Sequence, residues 1–515
     1  MPNTNVRKPL DSTPAALDHA AMEFDHDTCY RALASRDARF DGRFFIAVKT
    51  TRIYCRPICP ARTAKSANVL FYRSAAGAQD AGFRPCLRCR PEAAPDSAAW
   101  HGVSNTGVSH TVSRALALIE LGALDDAGVT PLADRLGVGE RQLRRLFAEH
   151  VGASPLSVAQ TRRVLLAKQL IQETQLPMTE IAFAAGFGSI RRFNEVFQQL
   201  YQRPAGALRR SHQDAVSAGP GGEVSLLLRY RPPYDWPAIL AHLRARAIPG
   251  IEQIDGDHYS RTIDLDGVHG TVTIGPGEGH ALRATIRLPK LALLPAVIAR
   301  LRRMFDLAAD PDVINQQLGV EPLMARLTQA RPGLRVPGAW DGFELAMRAV
   351  LGQQITVSAA TRLASKLVAQ HGARLASPNP NLPHLTHAFP SPEQLATADL
   401  TVLGMPLTRA ATLSGIAAAL IKQPNLFDTR ADLAEAVAHL CALPGVGDWT
   451  AQYIALRQLR EPDAFPASDV GLMQAIALHE GTRPSAAELL ARAQHWRPWR
   501  AYAAQHLWTS LATSA

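Results

Sequence analysis

Hydrophobic and polar positions change rhythm several times along this chain, and each change predicts a different architecture. Residues 111–210 place apolar side chains three and four apart, the spacing of helices with one buried face. One unit occurs twice there, about fifty residues apart: PLADRLGVGERQLRRLFAEHVGASP is echoed by TEIAFAAGFGSIRRFNEVFQQLYQRPAG. In each copy a short apolar-faced helix stops at a glycine, Gly137 or Gly186, and a second helix with arginines on its outer face follows. An apolar helix over 158–173 joins the copies, and the second turn is one residue longer. Further on, SLLLRY, HGTVTIG and LRATIRL alternate and predict antiparallel strands, whereas the chain beyond residue 340 reads as almost entirely helical. Residues 93–110 and 211–223 lack periodicity and are rich in Ala, Ser, Gly and Pro, which predicts linkers, and 370–389 predicts a surface loop.

A chain of 515 residues exceeds one ordinary core, so a multidomain protein is expected. The pattern divides it into a disordered tail (1–20), a small α+β domain (21–95), an all-α double helix-turn-helix domain (111–210), an α+β antiparallel-sheet domain (224–336) and an all-α domain (337–515). Lys and Arg outnumber Asp and Glu 55 to 45, a formal charge of +10 that suits a polyanionic partner. There is no long uncharged apolar run and no signal-peptide core at the N-terminus, so a cytoplasmic protein with no membrane partner is expected.

In a reducing compartment the cysteines point to metal. Cys55 and Cys59 form a C-x3-C pair, and 26 residues later Cys86 and Cys89 form a C-x2-C pair. Such pairs bring four thiolates to one point, which predicts one zinc ion held by Cys55, Cys59, Cys86 and Cys89. A closed site of this kind reads as a structural knot. A second reading is chemical: four thiolates make the site doubly negative, and alkylating one removes a unit of charge that repels a DNA phosphate.

The stretch FFIAVKTTRIYCRPICPARTAKSANVLFYRSAAGAQDAGFRPCLRCRPE resembles the methyl-acceptor domain of Ada-type regulators. The resemblance implies that Cys55 takes a methyl group from a DNA methylphosphotriester. Cys29 lies outside the motif and reads as a core residue. The Pro-Cys-His-Arg motif of the guanine methyltransferase domain is absent from the sequence, so direct reversal of base alkylation is not expected. The duplicated unit resembles the AraC family of transcription regulators. Residues near the start of each second helix, Glu140, Arg141 and Arg144 in one and Arg191 and Asn194 in the other, are expected to face DNA bases, although for any single arginine a phosphate contact or a solvated face ranks above base readout.

The segment LPGVGDWTAQYIALRQL, followed by FPASDVGLMQ, predicts a helix, a Pro-Gly-x-Gly turn and a second helix. Gly445 and Gly447 would let backbone N–H groups grip a phosphate there. An aspartate after serine ordinarily reads as a helix cap. Here Asp469 lies twenty residues beyond Trp449, a layout similar to that of the helix-hairpin-helix DNA glycosylases. Strand-cutting members carry a lysine where this chain has Trp449, which implies a monofunctional enzyme with water as nucleophile. Another branch holds an iron–sulfur cluster on four later cysteines, but the last cysteine here is Cys441.

From about residue 226 to 511 the chain resembles the AlkA-type 3-methyladenine DNA glycosylases, through motifs such as LGMPLTRAATL and WRPWRAYAAQHLW. This implies a base pocket of Trp449, Tyr453 and Trp508, with Asp469 stabilising an oxocarbenium-like sugar. Gln354 stands where those relatives carry a leucine wedge, and Trp496 reads as a core aromatic. The implied function is excision of alkylated purines joined to methylphosphotriester-sensing transcription regulation. The implied partners are double-stranded DNA, damaged or promoter, and RNA polymerase, and the expected state is a monomer. The alternative is a transcription regulator whose C-terminal half grips DNA without catalysis.

Overall fold

A computed structural model describes residues 25–94, 110–125, 127–209, 223–428 and 432–512. The predicted tail and all but the ends of the two predicted linkers lie outside the described residues.

The cysteine-rich segment folds around a small sheet of β1 (Phe45–Val48), β2 (Ile53–Cys55), β3 (Val69–Tyr72) and β4 (Arg84–Pro85), in the order β3-β1-β2-β4. Its core is split over the two faces of β1, Phe44 and Ile46 to one side, Phe45 and Ala47 to the other. Cys29 is fully buried among the first set, as expected of a core residue.

The duplicated pattern folds as read. Val129–Arg135 and Glu140–Val151 form the first helix pair, Met178–Ala184 and Ile190–Tyr201 the second. Gly137 and Gly186 stop the first helix of each pair at φ +69° and +86°, where a side chain would be strained. The joining helix runs Pro155–Glu173, three residues longer at its start than the apolar pattern indicates. Ser154 caps it and Pro155 supplies a ready-made first turn. Phe147, Phe193 and Phe197 are fully buried on the inner faces, and truncating one to alanine costs about 3–5 kcal/mol.

The next unit is an antiparallel sheet in the order β5-β9-β8-β7-β6, with β5 (Glu223–Arg229), β6 (Glu252–Asp255), β7 (His258–Leu265), β8 (Val268–Pro276) and β9 (Ala281–Arg287). Strands β5, β8 and β9 are the three alternating runs of the sequence. Strand β7 escapes that pattern because Ser260, Arg261 and Thr262 are buried polar residues within it. The remaining chain is helical and builds the largest core, in which Trp496 is fully buried. Residues 372–391 form no helix, as read, but are not merely a surface loop. Leu385 is fully buried, Asn379 Nδ2 donates to Thr271 Oγ1 at 3.1 Å, and Thr386 N–H donates to Gly250 O at 2.8 Å.

The units are closely docked. One apolar cluster runs from Phe193 and Phe197 into Leu226, Leu228 and Ile286 of the sheet, so helical middle and sheet share a core. The zinc module is tied to both. Lys168, fully buried on the joining helix, donates to Glu92 Oε2 at 2.5 Å and to Cys86 O at 2.9 Å, and Arg90 pairs with Glu173. Arg43 pairs with Asp310 at 2.6 Å. No helix among the described residues is long and apolar enough to cross a membrane.

Candidate active site and metal centre

The sulfurs of Cys55, Cys59, Cys86 and Cys89 all lie within 4.8 Å of one another. Four sulfurs about 2.3 Å from one zinc ion are spaced about 3.8 Å apart, so the set fits a tetrahedral site. The Cys55 thiol is pushed up, chiefly through its hydrogen bond with Cys59, while Cys86 is driven down by a hydrogen bond from Cys55. Four ionised sulfurs coexist here only around positive charge. Backbone N–H groups favour three of them: Arg56 donates to Cys89 Sγ at 3.3 Å, Arg88 to Cys86 Sγ at 3.3 Å, and Ala61 to Cys59. Among the described residues, Cys55 Sγ receives none.

In the C-terminal half, helix Leu433–Cys441 leads through Pro444, Gly445 and Gly447 into helix Asp448–Ile454. Gly445 sits at φ +82°, and a Cβ there would lie 1.9 Å from Thr412 Oγ1. Around Gly447, the cap of the second helix, a Cβ would meet nothing within 4 Å, which leaves the helix N-terminus open to a phosphate. The turn is braced to the loop carrying Gln354: Gln353 Nε2 donates to Gly445 O and Thr450 Oγ1, each at 3.1 Å. Arg409 holds the Gln353 carbonyl at 2.8 Å. Gln354 itself is exposed at φ +59°.

Asp469 caps helix Val470–Glu480, with Oδ1 accepting from Leu472 N–H at 2.9 Å. The cap and the wall of a cavity are one residue. Asp469 Oδ2 accepts from Trp449 Nε1 at 2.8 Å and Oδ1 from Trp508 Nε1 at 2.9 Å, so two indoles fix the carboxylate. These three and Tyr453 line a cavity of about 640 Å³. Trp449 stacks on Tyr453 with centroids 5.3 Å apart, and Tyr453 meets Trp508 edge to face at 6.4 Å. The pocket residues read from the sequence are thus brought together.

One feature changes the picture of a purely aromatic pocket. The guanidinium of Arg457 already lies over Tyr453 and Trp508, 5.5 and 5.2 Å from their centroids, so a cationic base does not have those ring faces to itself. Burial lowers Arg457 to about 10 and would raise Tyr453, but the charges of Arg457 and Arg246 outweigh burial and hold the phenol below its ordinary value. The sheet unit supplies a further wall that the sequence reading missed. Arg261 pairs with Glu344 at 2.6 Å, and Arg348 bridges Glu252 at 2.6 Å and Glu344 at 2.7 Å. The Glu344–Arg348 spacing of four on a helix was the one available signal.

On the helix-turn-helix units, Arg141, Arg144, Arg191 and Asn194 are exposed, whereas Glu140 is half-buried and accepts from Thr130 Oγ1. Arg144 is paired with Glu140 at 2.6 Å and Arg191 with Glu195 at 2.9 Å, so each must exchange a partner to reach DNA. A further ion pair, Arg135–Asp428 at 2.7 Å, joins the first unit to the C-terminal half.

Four family models match the chain: the metal binding domain of Ada over residues 28–92, a helix-turn-helix domain over 132–211, the AlkA N-terminal domain over 225–341, and the HhH-GPD superfamily of base excision DNA repair proteins over 347–501. The "Probable bifunctional transcriptional activator/DNA repair enzyme AlkA" of Mycobacterium tuberculosis is 43% identical over 95% of this chain and 97% of its own length. DNA-3-methyladenine glycosylase 2 of Escherichia coli is 35% identical over 55% of the chain and 95% of its own length. The bifunctional transcriptional activator/DNA repair enzyme Ada of Escherichia coli is 36% identical over 31% of the chain and 42% of its own length. The chain therefore belongs to the family of bifunctional transcriptional activator/DNA repair enzymes of the AlkA type, in which an Ada-type zinc domain and a helix-turn-helix regulator are fused to a DNA glycosylase.

Proposed function

We propose that the C-terminal half is a monofunctional glycosylase that hydrolyses the N-glycosidic bond of alkylated purines, of the 3-methyladenine and 7-methylguanine type. The observation that carries this reading is the Asp469 carboxylate, held by two indole N–H groups at the wall of a cavity large enough for a purine. The damaged nucleotide leaves the stack for this cavity while the hairpin at Gly445 and Gly447 holds the backbone and Gln354 enters the gap. As the bond between C1′ and the base nitrogen breaks, its electron pair neutralises the cationic base. Positive charge then develops on the sugar, where Asp469 stabilises it. Water adds to C1′ and gives up a proton. Trp449 has no amine to form a Schiff base, which supports water as the nucleophile.

In the zinc module, Cys55 is the methyl acceptor. Held by Cys55, Cys59, Cys86 and Cys89, a zinc ion would supply the positive charge that lets all four sulfurs stay ionised. Cys55, lacking the N–H contacts that damp the other three, is then the most nucleophilic. Its sulfur forms a bond to the methyl carbon of a phosphotriester, the carbon–oxygen bond breaks, and the phosphodiester leaves as an anion. The methylated protein, acting as a cytoplasmic monomer, binds its promoter through Arg141, Asn194 and their neighbours and recruits RNA polymerase.

Incubation with methylated duplex DNA tests both parts. Free methylpurine is expected, without strand cleavage or a borohydride-trapped complex, and mass spectrometry should place one methyl group on Cys55. Nicking before alkali would refute monofunctional chemistry, and an unmodified zinc-loaded Cys55 would refute the acceptor role.

A further inference from the structure

Arg56 follows Cys55 directly in the chain and grips Cys89 twice. Its backbone N–H donates to Cys89 Sγ at 3.3 Å and its Nη1 to the Cys89 carbonyl at 3.1 Å. The rest of the guanidinium is bound by the Asp41 carboxylate, with Nε donating to Oδ1 at 2.8 Å and Nη2 to Oδ2, and both residues are buried. Asp41 is in turn held from outside the zinc module. Arg231, buried just beyond β5 in the sheet unit, donates from Nη2 to the Asp41 carbonyl at 2.7 Å and from Nη1 to Asp310 Oδ2. Asp310 caps helix Pro311–Leu318, whose Ile314 and Leu318 lie in the largest core. Arg335, also buried, fixes the backbone around this contact by donating to the carbonyls of Arg231 and Ala309. A buried chain of hydrogen bonds thus runs from the sheet unit to the Cys89 sulfur.

We infer that Arg231 is a positioning residue for the methyl-acceptor centre: acting through Asp41 and Arg56, it keeps an N–H on the Cys89 sulfur and so directs alkylation to Cys55. This rests on the acceptor reading above. A thiolate that accepts an N–H bond shares part of its charge with the donor and attacks carbon more slowly, so the sulfur spared such bonds reacts first. Cys89 Sγ lies within 4.8 Å of Cys55 Sγ and becomes its competitor once the Arg56 N–H drifts away. The acceptor centre is therefore built by two units of the chain. A purely adhesive Arg231 would strengthen docking but leave the choice of sulfur unchanged.

The test treats full-length, zinc-loaded wild type, Arg231→Gln and Arg231→Lys with methyl iodide, a probe that needs no DNA contact. The sulfur–carbon bond forms as the carbon–iodine bond breaks and iodide leaves. Peptide mass spectrometry identifies the methylated cysteine, and hydrogen exchange over residues 53–59, measured without alkylation, reads the Arg56 N–H. Wild type should carry the methyl group on Cys55. Arg231→Gln should raise the share on Cys89 about tenfold and speed the exchange by about the same factor. Arg231→Lys, whose ammonium can still donate to the Asp41 carbonyl, should keep most of the wild-type selectivity. Should Arg231→Gln not fold, Arg56→Met removes the same hold from within the zinc module and is expected to act alike. Methyl confined to Cys55 in a folded variant, or unchanged exchange, would overturn the inference and leave the acceptor reading intact. A wild type with no methyl on Cys55 would overturn both.

Discussion

Replacing Lys168 by methionine removes the cation from a junction where the zinc module, the joining helix and the sheet unit meet. The amine is fully buried and bound to Glu92 at 2.5 Å and to the Cys86 carbonyl at 2.9 Å. Burial lowers its pKa and Glu92 opposes that shift, so the pair's value lies in mutual compensation. Methionine fills a similar volume but leaves Glu92, 2% exposed, with Arg90 at 3.2 Å as its remaining cation. Breaking a buried pair costs about 3–5 kcal/mol, and the surviving Arg90 contact places the loss near the lower end, about 3 kcal/mol. Removing both charges in Lys168→Met with Glu92→Leu should cost less than the single change, because no uncompensated carboxylate remains. Urea unfolding followed by tryptophan fluorescence and by zinc release reads both quantities. A single-variant loss below about 1 kcal/mol, or a double variant no more stable than the single, would refute the reasoning.

Other outcomes follow from the same physical accounting. Burial lowers His506 to about 4 from its ordinary 6.5, so the folded chain keeps it neutral while the unfolded chain takes up its proton first. Its contribution is complete above pH 6.5 and is lost as pH falls towards 4, about 3 kcal/mol in all, and His506→Phe should flatten that stretch of the stability curve. An unchanged slope would contradict it. Gln353→Ala unties the Gln354 loop from the hairpin and should lower kcat/KM on damaged duplex about fivefold, with an unchanged value as the contrary result. Stripping zinc with a chelator under reducing conditions should abolish hydrogen-exchange protection in β1 to β4. Persistent protection there would show that the metal does not hold the module together.

The parts of this protein that were legible in its sequence are those whose chemistry depends on near neighbours in the chain. Cys55 and Cys59, or Cys86 and Cys89, announce a metal by spacing alone, and the Pro-Gly-x-Gly turn and the doubled helix pairs are equally local. Asp469 was ambiguous by itself, since a cap and a catalytic carboxylate need the same residue type, and it both caps a helix and lines the cavity. What stayed hidden depends on distant pairing. The Arg261 charge that disguises β7 is balanced by Glu344, 83 positions away, and Lys168 by Glu92, 76 positions away. The loop around Asn379 looked solvent-exposed because its anchoring residues, Leu385 and Ala388, are too sparse to form a period.

Base release from methylated duplex by the full chain and by Asp469→Asn tests the central claim most directly. Asparagine caps a helix about as well as aspartate, so folding should survive, as a melting curve will verify. The charge facing the sugar is lost, worth about 4 kcal/mol at 4 Å in an intermediate dielectric, which predicts a fall of about a thousandfold in the excision rate. A folded Asp469→Asn protein that still releases methylpurine within about tenfold of wild type would contradict the account.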